Sequence, residues 1–328
     1  MMQSVDFSSL PNAEPIPNPI ENVSGALFTN EATLPRSLDF LVRPRTALDV
    51  RFDPATATVW CSMRHENSVS WTFPLLMELN SLNADIRALY ADGDGGDPPI
   101  KFFVGGSSRP GVFSLGGDLA FFIDRAKARD AEGLRRYAYA CVEAVYNNYH
   151  GFDAPVVTIA LLEGDALGGG LEAALSCQFV IAERGINVGF PECLFNTFPG
   201  MGAYSLLSRR LDAARTEKLI LSGRMLKSED LHAMGLIDIL AEKGEGPARA
   251  RAFIAENSRR HNLLTTLGKV RRRVAPLTLQ ELRDITDLWV DSVMALSPIN
   301  LRKMEMLALS QDRLFKQTAS RRFPEHHP

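Results

Sequence analysis

Two glutamates, Glu172 and Glu192, stand where carboxyl groups often act as acids and bases. Residues 156–162 are an apolar, β-branched run, which predicts a buried strand. Three successive glycines, residues 168–170, follow it, and helical spacing resumes over residues 171–177. This order places Glu172 in the first turn of a helix, where the helix dipole favours a carboxylate. It also leaves the glycine N–H groups open to an oxygen atom of a ligand.

Taken one at a time, these features have ordinary structural explanations. A triple glycine between a strand and a helix is often only a tight turn, and a glutamate at a helix start is usually a capping charge. The second acid favours a catalytic explanation over a purely structural one. Glu192 follows Pro191 just after the next apolar strand. Two carboxyl groups beside an open glycine turn suit general acid and base catalysis next to a polarised carbonyl.

A second glycine-rich stretch repeats the order of strand, glycines and helix. Gly116 and Gly117 lie between a predicted strand at residues 100–105 and a predicted helix at residues 119–129. An N–H of this stretch can therefore face the same carbonyl oxygen as the Gly169 N–H, and the two donors would form an oxyanion hole. The stretch lacks the pattern Gly-x-Ser-x-Gly, which argues against a serine hydrolase.

The elements around these residues alternate strands and helices, which is typical of an α/β fold. Further strands are predicted at residues 47–53, 58–62 and 236–240, and further helices at residues 75–90, 131–149 and 213–222. The order of elements indicates one large sheet-containing core, with both glycine turns and both acids inside it.

Composition divides the chain into three predicted parts. Residues 1–44 are interrupted by prolines and predict an extended or mobile arm. Residues 45–246 hold the strands and form the predicted core. Residues 247–328 are mostly helical and basic, which predicts a helical C-terminal subdomain. Its basic cluster is either a solvated face or a surface that receives the phosphates of an acyl carrier.

Bulky apolar residues near the end of the chain are candidates for a substrate pocket. Residues 279–296 and 298–315 predict two long amphipathic helices, separated at Ser297 and Pro298. The first of these helices carries the candidates Trp289, Val293 and Met294. Their alternative interpretation is ordinary core packing, and the sequence alone leaves both open.

Charge and composition exclude several classes of function. The 328 residues are 45% hydrophobic with a formal net charge of −3, so no global charge favours binding to nucleic acid or to an anionic membrane. No apolar run has the roughly 18 residues of a membrane span, and residues 1–10 lack the pattern of a signal peptide. These features predict a cytoplasmic protein without membrane insertion. The four cysteines are dispersed, which predicts neither a disulfide framework nor a metal site.

The motifs over residues 47–240 resemble the crotonase superfamily, also called the enoyl-CoA hydratase/isomerase superfamily. The matching segments are Ser114-Leu-Gly-Gly-Asp-Leu119, Glu163-Gly-Asp-Ala-Leu-Gly-Gly-Gly-Leu-Glu172 and Gly189-Phe-Pro-Glu192. The resemblance implies a spiral of ββα repeats followed by a helical subdomain. It also implies that Gly117 and Gly169 supply the oxyanion N–H groups, and that Glu172 and Glu192 are the acid and base pair of a hydratase. The presence of both acids favours hydration, dehydration or isomerisation over decarboxylation or dehalogenation.

A narrower resemblance is to the bacterial diffusible-signal-factor synthases within that superfamily. It rests on residues 163–177, on residues 189–204 and on the helix containing Leu288-Trp-Val-Asp291. That branch dehydrates a 3-hydroxyacyl thioester on acyl carrier protein and releases a cis-2-enoic fatty acid. The resemblance therefore implies dehydratase and thioesterase activity. The proline-rich arm and residues 92–99 depart from the branch, so acyl chain length and the choice between CoA and carrier protein stay open.

Two other functions remain as alternatives at this stage. A general enoyl-CoA hydratase of fatty-acid metabolism would use the same acids without releasing a free acid. A non-catalytic partner protein on the same scaffold is the alternative from another class, and the presence of both glutamates and both glycine turns argues against it. The resemblance implies no cofactor beyond the acyl thioester, association as homotrimers or hexamers, and a sensor protein as a further partner.

Overall fold

Two β-sheets form the centre of the molecule. The computed structural model describes residues 36–65, 67–91 and 97–319. Ten strands occur within these ranges: β1 Leu48–Asp53, β2 Thr58–Met63, β3 Phe102–Ser107, β4 Gly111–Ser114, β5 Val157–Leu162, β6 Gly164–Leu167, β7 Phe179–Glu183, β8 Asn187–Gly189, β9 Leu226–Lys227 and β10 Ile239–Ala241. The large sheet has the order β1-β2-β3-β5-β7-β10, and the small sheet has the order β4-β6-β8-β9.

Helices cover and connect the two sheets. The α-helices of the described residues are α1 Phe73–Ala88, α2 Leu119–Lys127, α3 Ala131–His150, α4 Gly169–Ser176, α5 Ala203–Ser208, α6 Ala213–Ser222, α7 Ser228–Ala233, α8 Gly246–Asn257, α9 His261–Val274, α10 Leu279–Met294 and α11 Pro298–Ala319. Short 3-10 helices occur at Arg36–Val42, Gly151–Asp153, Pro191–Phe195 and Ser258–Arg260. The predicted helices and strands are therefore present, with ends that differ by a few residues.

The chain advances as a spiral of repeats that contribute one strand to each sheet. β3, β5 and β7 are parallel neighbours in the large sheet, while β4, β6 and β8 are parallel neighbours in the small one. Each repeat thus sends its first strand to the large sheet and its second strand to the small sheet. This arrangement confirms the predicted spiral of ββα repeats with C-terminal helices.

The apolar run that predicts a buried strand forms β5, an interior strand of the large sheet. All six residues of β5, Val157–Leu162, are buried, because β3 and β7 flank the strand and helices cover both faces of the sheet. The side chains on one face join the main core, which includes Leu162. Those on the other face, including Ile159, pack under α8 with Phe253. Parallel strands covered on both faces have this continuous apolar pattern.

The first described residues differ from the predicted extended arm. Residues Arg36–Val42 form a 3-10 helix, and its Leu38 and Leu41 are buried in the main core. Apolar burial therefore fixes this end of the proposed arm onto the core. The rest of the arm, residues 1–35, and most of the loop at residues 92–99 lie outside the described residues. Among the described helices, none combines the length and apolar character needed to cross a membrane.

The last two helices pack on the core beside the small sheet. On α10, Asp287 accepts hydrogen bonds from Arg135 Nε at 2.8 Å and from the Tyr139 hydroxyl, both on α3. On α11, Glu305 forms an ion pair with Lys127 of α2 at 2.7 Å. α10 and α11 therefore lie against α3 and α2, the helices that follow Gly116 and Gly117 in the chain.

Candidate active site

The predicted catalytic residues meet at one edge of the small sheet. β4 leads to Gly116 and Gly117, β6 leads to the glycine turn at residues 168–170, and β8 leads to Glu192. Since β4, β6 and β8 are parallel neighbours, their carboxyl ends lie side by side. Side chains and N–H groups that follow such ends converge at one place. The fold thus explains why segments far apart in sequence are neighbours here.

Two of the glycines are required by backbone geometry. Gly116 has a φ of +98° and Gly168 has a φ of +51°, which are conformations that side chains disfavour. A Cβ atom at Gly168 would also overlap Oε1 of Glu192. Glycine at this position therefore allows the second carboxyl group to lie directly against the turn.

The two proposed oxyanion donors lie close together. A Cβ atom at Gly169 would lie 3.5 Å from the Gly117 nitrogen, and one at Gly116 would lie 3.2 Å from the Gly169 nitrogen. Gly169 begins α4, where N–H groups have no partner within the helix. Within the described part of the chain, neither the Gly117 N–H nor the Gly169 N–H donates a hydrogen bond. Both are available to one carbonyl oxygen.

Glu172 is fully buried and held by the backbone. Its Oε1 accepts hydrogen bonds from the N–H of Met201 at 2.9 Å and of Ala203 at 2.8 Å, while Oε2 has no partner among the described residues. Burial raises the pKa of Glu172 to about 7, although the two backbone hydrogen bonds act in the opposite direction. The carboxyl group therefore has a fixed orientation, one unused oxygen and a pKa near neutrality.

Glu192 lies in the short helix Pro191–Phe195 and is held less firmly. The residue is half-buried, but its Oε2 is out of contact with solvent and has no partner among the described residues. Burial, together with the charge of Glu172, raises the pKa of Glu192 to about 8. The negative charge of ionised Glu172 disfavours ionisation of Glu192, so the two carboxyl groups resist ionising together.

Two small cavities meet at the glycine turns. The first, of about 20 Å³, touches Gly117, Gly169 and Met201 and is otherwise lined mainly by apolar side chains of α1 and α3. The second, of about 30 Å³, touches the same three residues and is also lined by Glu192 and Trp289. Both cavities therefore reach the two glycines whose N–H groups are the proposed oxyanion donors.

The three predicted pocket residues have different positions. Trp289 on α10 lines the second cavity, where it packs against Gly200 and makes an edge contact with Phe122 at 5.0 Å between ring centroids. Val293 is fully buried in the main core, and Met294 is partly buried against it. Neither of these two lines either cavity, so their role in binding stays a prediction.

Sequence reasoning missed the residues that hold the site together. The Tyr137 hydroxyl donates a hydrogen bond to the carbonyl of Trp71 and accepts one from the N–H of Asp118 at 3.1 Å, next to Gly117. Leu307 and Gln311 of α11 also line the second cavity. Only Tyr137 carried a sequence signal, because it lies at an apolar position of the predicted helix at residues 131–149. The other contacts depend on tertiary structure.

The described residues include no cluster of metal ligands, and the thiol that lines the first cavity is buried. No group of three or more His, Cys, Asp or Glu residues that could hold a metal ion occurs among them. Cys141 lies beside the first cavity, but burial raises the pKa of its thiol above its usual range, so the reactive thiolate is disfavoured. The arrangement is therefore equipped for proton transfer next to a carbonyl whose oxygen becomes negatively charged.

Comparison with known protein families agrees with this chemistry. Residues 96–285 match the family described as "Enoyl-CoA hydratase/isomerase". A human protein named "Enoyl-CoA hydratase domain-containing protein 2, mitochondrial" is 33% identical over 178 residues, which cover 53% of this chain and 59% of that protein. Rat "Methylglutaconyl-CoA hydratase, mitochondrial" is 32% identical over 213 residues, covering 62% of each chain. The chain thus spans about three fifths of the length of these curated relatives.

Solved structures show the same fold. Pseudomonas aeruginosa DspI aligns with a TM-score of 0.61 and 25% identity, covering 76% of this chain and 96% of that one. An enoyl-CoA hydratase/isomerase from Xanthobacter autotrophicus Py2 aligns with a TM-score of 0.66 over 86% of this chain and 100% of that one. Its identity of 18% supports similarity of fold alone.

Proposed function

The chain belongs to the enoyl-CoA hydratase/isomerase family, and on that premise we propose that it dehydrates 3-hydroxyacyl thioesters and hydrolyses the resulting thioester. The observation that carries the proposal is the pair of carboxyl groups with raised pKa values, Glu172 and Glu192, beside two unused backbone N–H groups. Dehydration needs one base, one acid and a stabilised enolate oxygen, and this arrangement can supply all three.

In the proposed dehydration, the thioester oxygen accepts hydrogen bonds from the N–H groups of Gly117 and Gly169. The ionised member of the glutamate pair removes a proton from C2, and negative charge develops on the thioester oxygen. The protonated member gives its proton to the C3 hydroxyl group, which leaves as water while the C2–C3 double bond forms. The two carboxyl groups thereby exchange protonation states. An oxyanion donor commonly contributes about 3 kcal/mol to such a transition state.

In the proposed hydrolysis, the same site acts on the 2-enoyl thioester. The carboxylate that has just lost its proton takes a proton from a water molecule, whose oxygen attacks the thioester carbon. The oxyanion of the tetrahedral intermediate is held by the N–H groups of Gly117 and Gly169. The C–S bond then breaks, the carrier thiolate receives the proton, and the 2-enoic acid is released. No serine or thiolate nucleophile is needed for this sequence.

The acyl group would lie in the cavity that contains Glu192 and Trp289. This cavity touches both oxyanion glycines, so an acyl chain that enters it begins next to the proposed carbonyl position. Its volume of about 30 Å³ is close to that of one water molecule, so the cavity must widen when the acyl chain binds. Trp289 is the proposed substrate-binding residue whose position supports that role most directly. Val293 and Met294 would act from behind it, by supporting the wall of the cavity from the core.

The free product is proposed to be a cis-2-enoic fatty acid used as a signal in quorum sensing. This step rests on the resemblance of residues 163–177 and 189–204 to the diffusible-signal-factor synthases. A second candidate function is plain hydration of 2-enoyl-CoA thioesters. The identity of 32% with a protein named methylglutaconyl-CoA hydratase favours it, and hydration of a 2-enoyl thioester can use the same acid and base without a hydrolysis step.

We also propose the substrate carrier, location and assembly. The acyl group would arrive on acyl carrier protein or CoA in the cytoplasm, and a sensor protein would be a further partner. Assembly as a homotrimer or hexamer is supported by a stripe of exposed apolar side chains on α9, where Leu263, Leu267 and Val270 are each at least 50% exposed. Such a stripe on one helix face is typical of a surface that is covered in an assembly.

The experiment that tests the proposed function is a mass-spectrometric screen of the wild-type protein. Substrates are 3-hydroxyacyl and 2-enoyl thioesters of several chain lengths, each on CoA and on acyl carrier protein. We expect release of a free 2-enoic acid from at least one 3-hydroxyacyl thioester. Interconversion of thioesters without free acid on either carrier would leave the plain hydratase. Absence of any turnover would favour a non-catalytic partner protein.

A further inference from the structure

We propose that Gln311, on the C-terminal helix α11, is a positioning residue for the oxyanion hole. The inference deepens the proposed function and rests on it, because it concerns the turn that carries the Gly117 N–H. Gln311 lines the cavity that contains Glu192, and it is also bonded to the backbone two residues before Gly117. Its side chain therefore connects the C-terminal helix to the proposed catalytic machinery.

The Gln311 amide connects two chain segments that lie side by side next to Gly117. We call residues 69–71 the strap and residues 115–117 the turn. Gln311 Nε2 donates a hydrogen bond to the Leu115 carbonyl in the turn at 2.9 Å, and its Oε1 accepts one from the Ser70 hydroxyl in the strap at 3.4 Å. One side chain thus holds both segments.

The strap and the turn are also joined by backbone hydrogen bonds. Leu115 N–H donates to the Val69 carbonyl at 2.8 Å, and Trp71 N–H donates to the Gly116 carbonyl at 2.9 Å. The Trp71 bond holds the peptide unit that contains the Gly117 N–H, and the Gln311 bridge holds the peptide unit before it. Because Gly116 has a φ of +98°, the turn lies in a region of backbone space where only glycine is unstrained. Glycine also permits many other conformations, so external bonds must select this one.

α11 is also docked by contacts that do not involve Gln311. Leu314 and Phe315 pack against a small cluster formed by Val69, Val112 and Leu115. The Arg109 guanidinium lies over the Phe315 ring, 4.2 Å from its centroid. Burial and cation–π contact supply docking energy without any requirement for the Gln311 amide. A variant that loses only the amide can therefore keep the helix in place.

The competing explanation is that Gln311 is simply a docking contact. A docking contact would affect the melting temperature but would leave the turn and the chemistry of the docked enzyme unchanged. Loss of a positioning residue should instead change kcat and the hydrogen bonds of the turn while leaving the melting temperature nearly unchanged. Its loss loosens the bonds between the strap and the turn and lowers kcat, because a displaced N–H weakens hydrogen bonding to the oxyanion more than substrate binding.

The test compares Gln311→Met with Arg313→Met. Methionine has nearly the length of glutamine and is unbranched, so the first variant keeps the side-chain volume while losing both hydrogen bonds. Arg313 is exposed on the same helix and makes the matched control. Kinetic constants are measured with a short 2-enoyl-CoA, together with melting temperature and amide hydrogen exchange at Trp71 and Leu115.

For Gln311→Met we expect kcat to fall about tenfold with KM within about twofold, and exchange at the two amides to become faster, while the melting temperature stays near that of the control. Ser70→Ala removes only the weaker half of the bridge and should give a smaller change in the same direction. Unchanged kcat and unchanged exchange, relative to Arg313→Met, would overturn the inference. If the wild type turns over no thioester, the proposed function fails, and the exchange result alone decides whether Gln311 holds the turn.

Discussion

The two sides of the proposed active site are built differently. On the core side, α4 presents the Gly169 N–H and Glu172, whose Oε1 is held by two backbone N–H groups. On the opposite side, Glu192 lies in a five-residue 3-10 helix, and Trp289 from α10 lines the wall of the cavity. Glu172 is therefore fixed by backbone hydrogen bonds at the start of α4, whereas the cavity wall at Trp289 depends on how the later helices pack.

This difference suggests a division of tasks. A rigid scaffold suits groups that stabilise charge, because their benefit depends on being in place before the reaction. A wall formed by the C-terminal helices can change without disturbing the sheet, so it suits the selection of acyl groups. We expect changes to the oxyanion glycines or to either acid to abolish or strongly lower activity, and changes to the cavity wall at Trp289 to alter the preference for acyl groups.

The largest expected effect comes from the core side. Gly169→Pro removes the N–H proposed to hold the enolate oxygen, and activity should become undetectable. Proline is tolerated at the first position of a helix, which Gly169 occupies. Gly169→Ala is the matched control, because it keeps the N–H and its Cβ would meet only ordinary contacts. A Gly169→Pro protein that melts near the wild-type temperature and turns over as fast as the wild type would exclude this role.

The two acids are expected to show the next largest effect. Glu172→Gln and Glu192→Gln keep size and shape, so the fold should persist while dehydration falls at least about 10²-fold in each. Glu143→Gln, at an exposed position of α3, serves as the control and should behave like the wild type. Dehydration rates on a 3-hydroxyacyl thioester provide the measurement. Normal turnover in both active-site variants would contradict the assignment of Glu172 and Glu192 as acid and base.

On the C-terminal side we expect a change of preference. Trp289→Phe should enlarge the cavity, so that the acyl chain length with the highest kcat/KM increases. Val293→Ala is the comparison, since Val293 is fully buried but does not line the cavity. It should lower the free energy of unfolding by about 1–3 kcal/mol without changing preference. Rate profiles over a series of chain lengths, with urea unfolding, separate the two outcomes. Equal chain-length profiles for Trp289→Phe and the wild type would contradict a pocket role.

The smallest expected effect is a change in how stability depends on pH. The pKa of Glu192 is raised from a model-peptide value of 4.5 to about 8, so the folded protein holds this proton more tightly than the unfolded chain. This tighter proton binding adds to the free energy of unfolding below about pH 4.5, and the added stability is lost as the pH rises toward about 8. Glu192→Gln should therefore gain at least about 1 kcal/mol of stability relative to the wild type between pH 5 and pH 8.5. The free energy of unfolding is measured with urea at both pH values. An equal difference between Glu192→Gln and the wild type at pH 5 and at pH 8.5 would contradict the raised pKa of Glu192.

The sequence predicted much of this site because its signals are local. Glycines at residues 168–170 and the positions of Glu172 and Glu192 depend on a turn, a helix start and a strand end, which neighbouring residues specify. The parallel order of β4, β6 and β8 then brings those ends together. A repeating order of strands and helices was enough to indicate such a fold.

Contacts that come from distant parts of the chain could not be predicted. The Met201 and Ala203 N–H groups hold Glu172 through backbone atoms, which leave no mark on residue type. Gln311 lies 196 residues from Leu115, so nothing near either residue indicates their contact. The burial of Leu38 and Leu41 also depends on the completed core, and proline content suggested an extended arm instead. Tertiary packing decides all of these features.

Hydrolysis of a 2-enoyl acyl-carrier-protein thioester tests most directly whether both proposed reactions share one site. Free 2-enoic acid is quantified by mass spectrometry for the wild type, Glu172→Gln, Glu192→Gln and the Glu143→Gln control. We expect the wild type and the control to release the acid, and at least one of the two active-site variants to release it at least about 10²-fold more slowly. Wild-type rates of release in both active-site variants, or no release by the wild type, would contradict a single site for dehydration and hydrolysis.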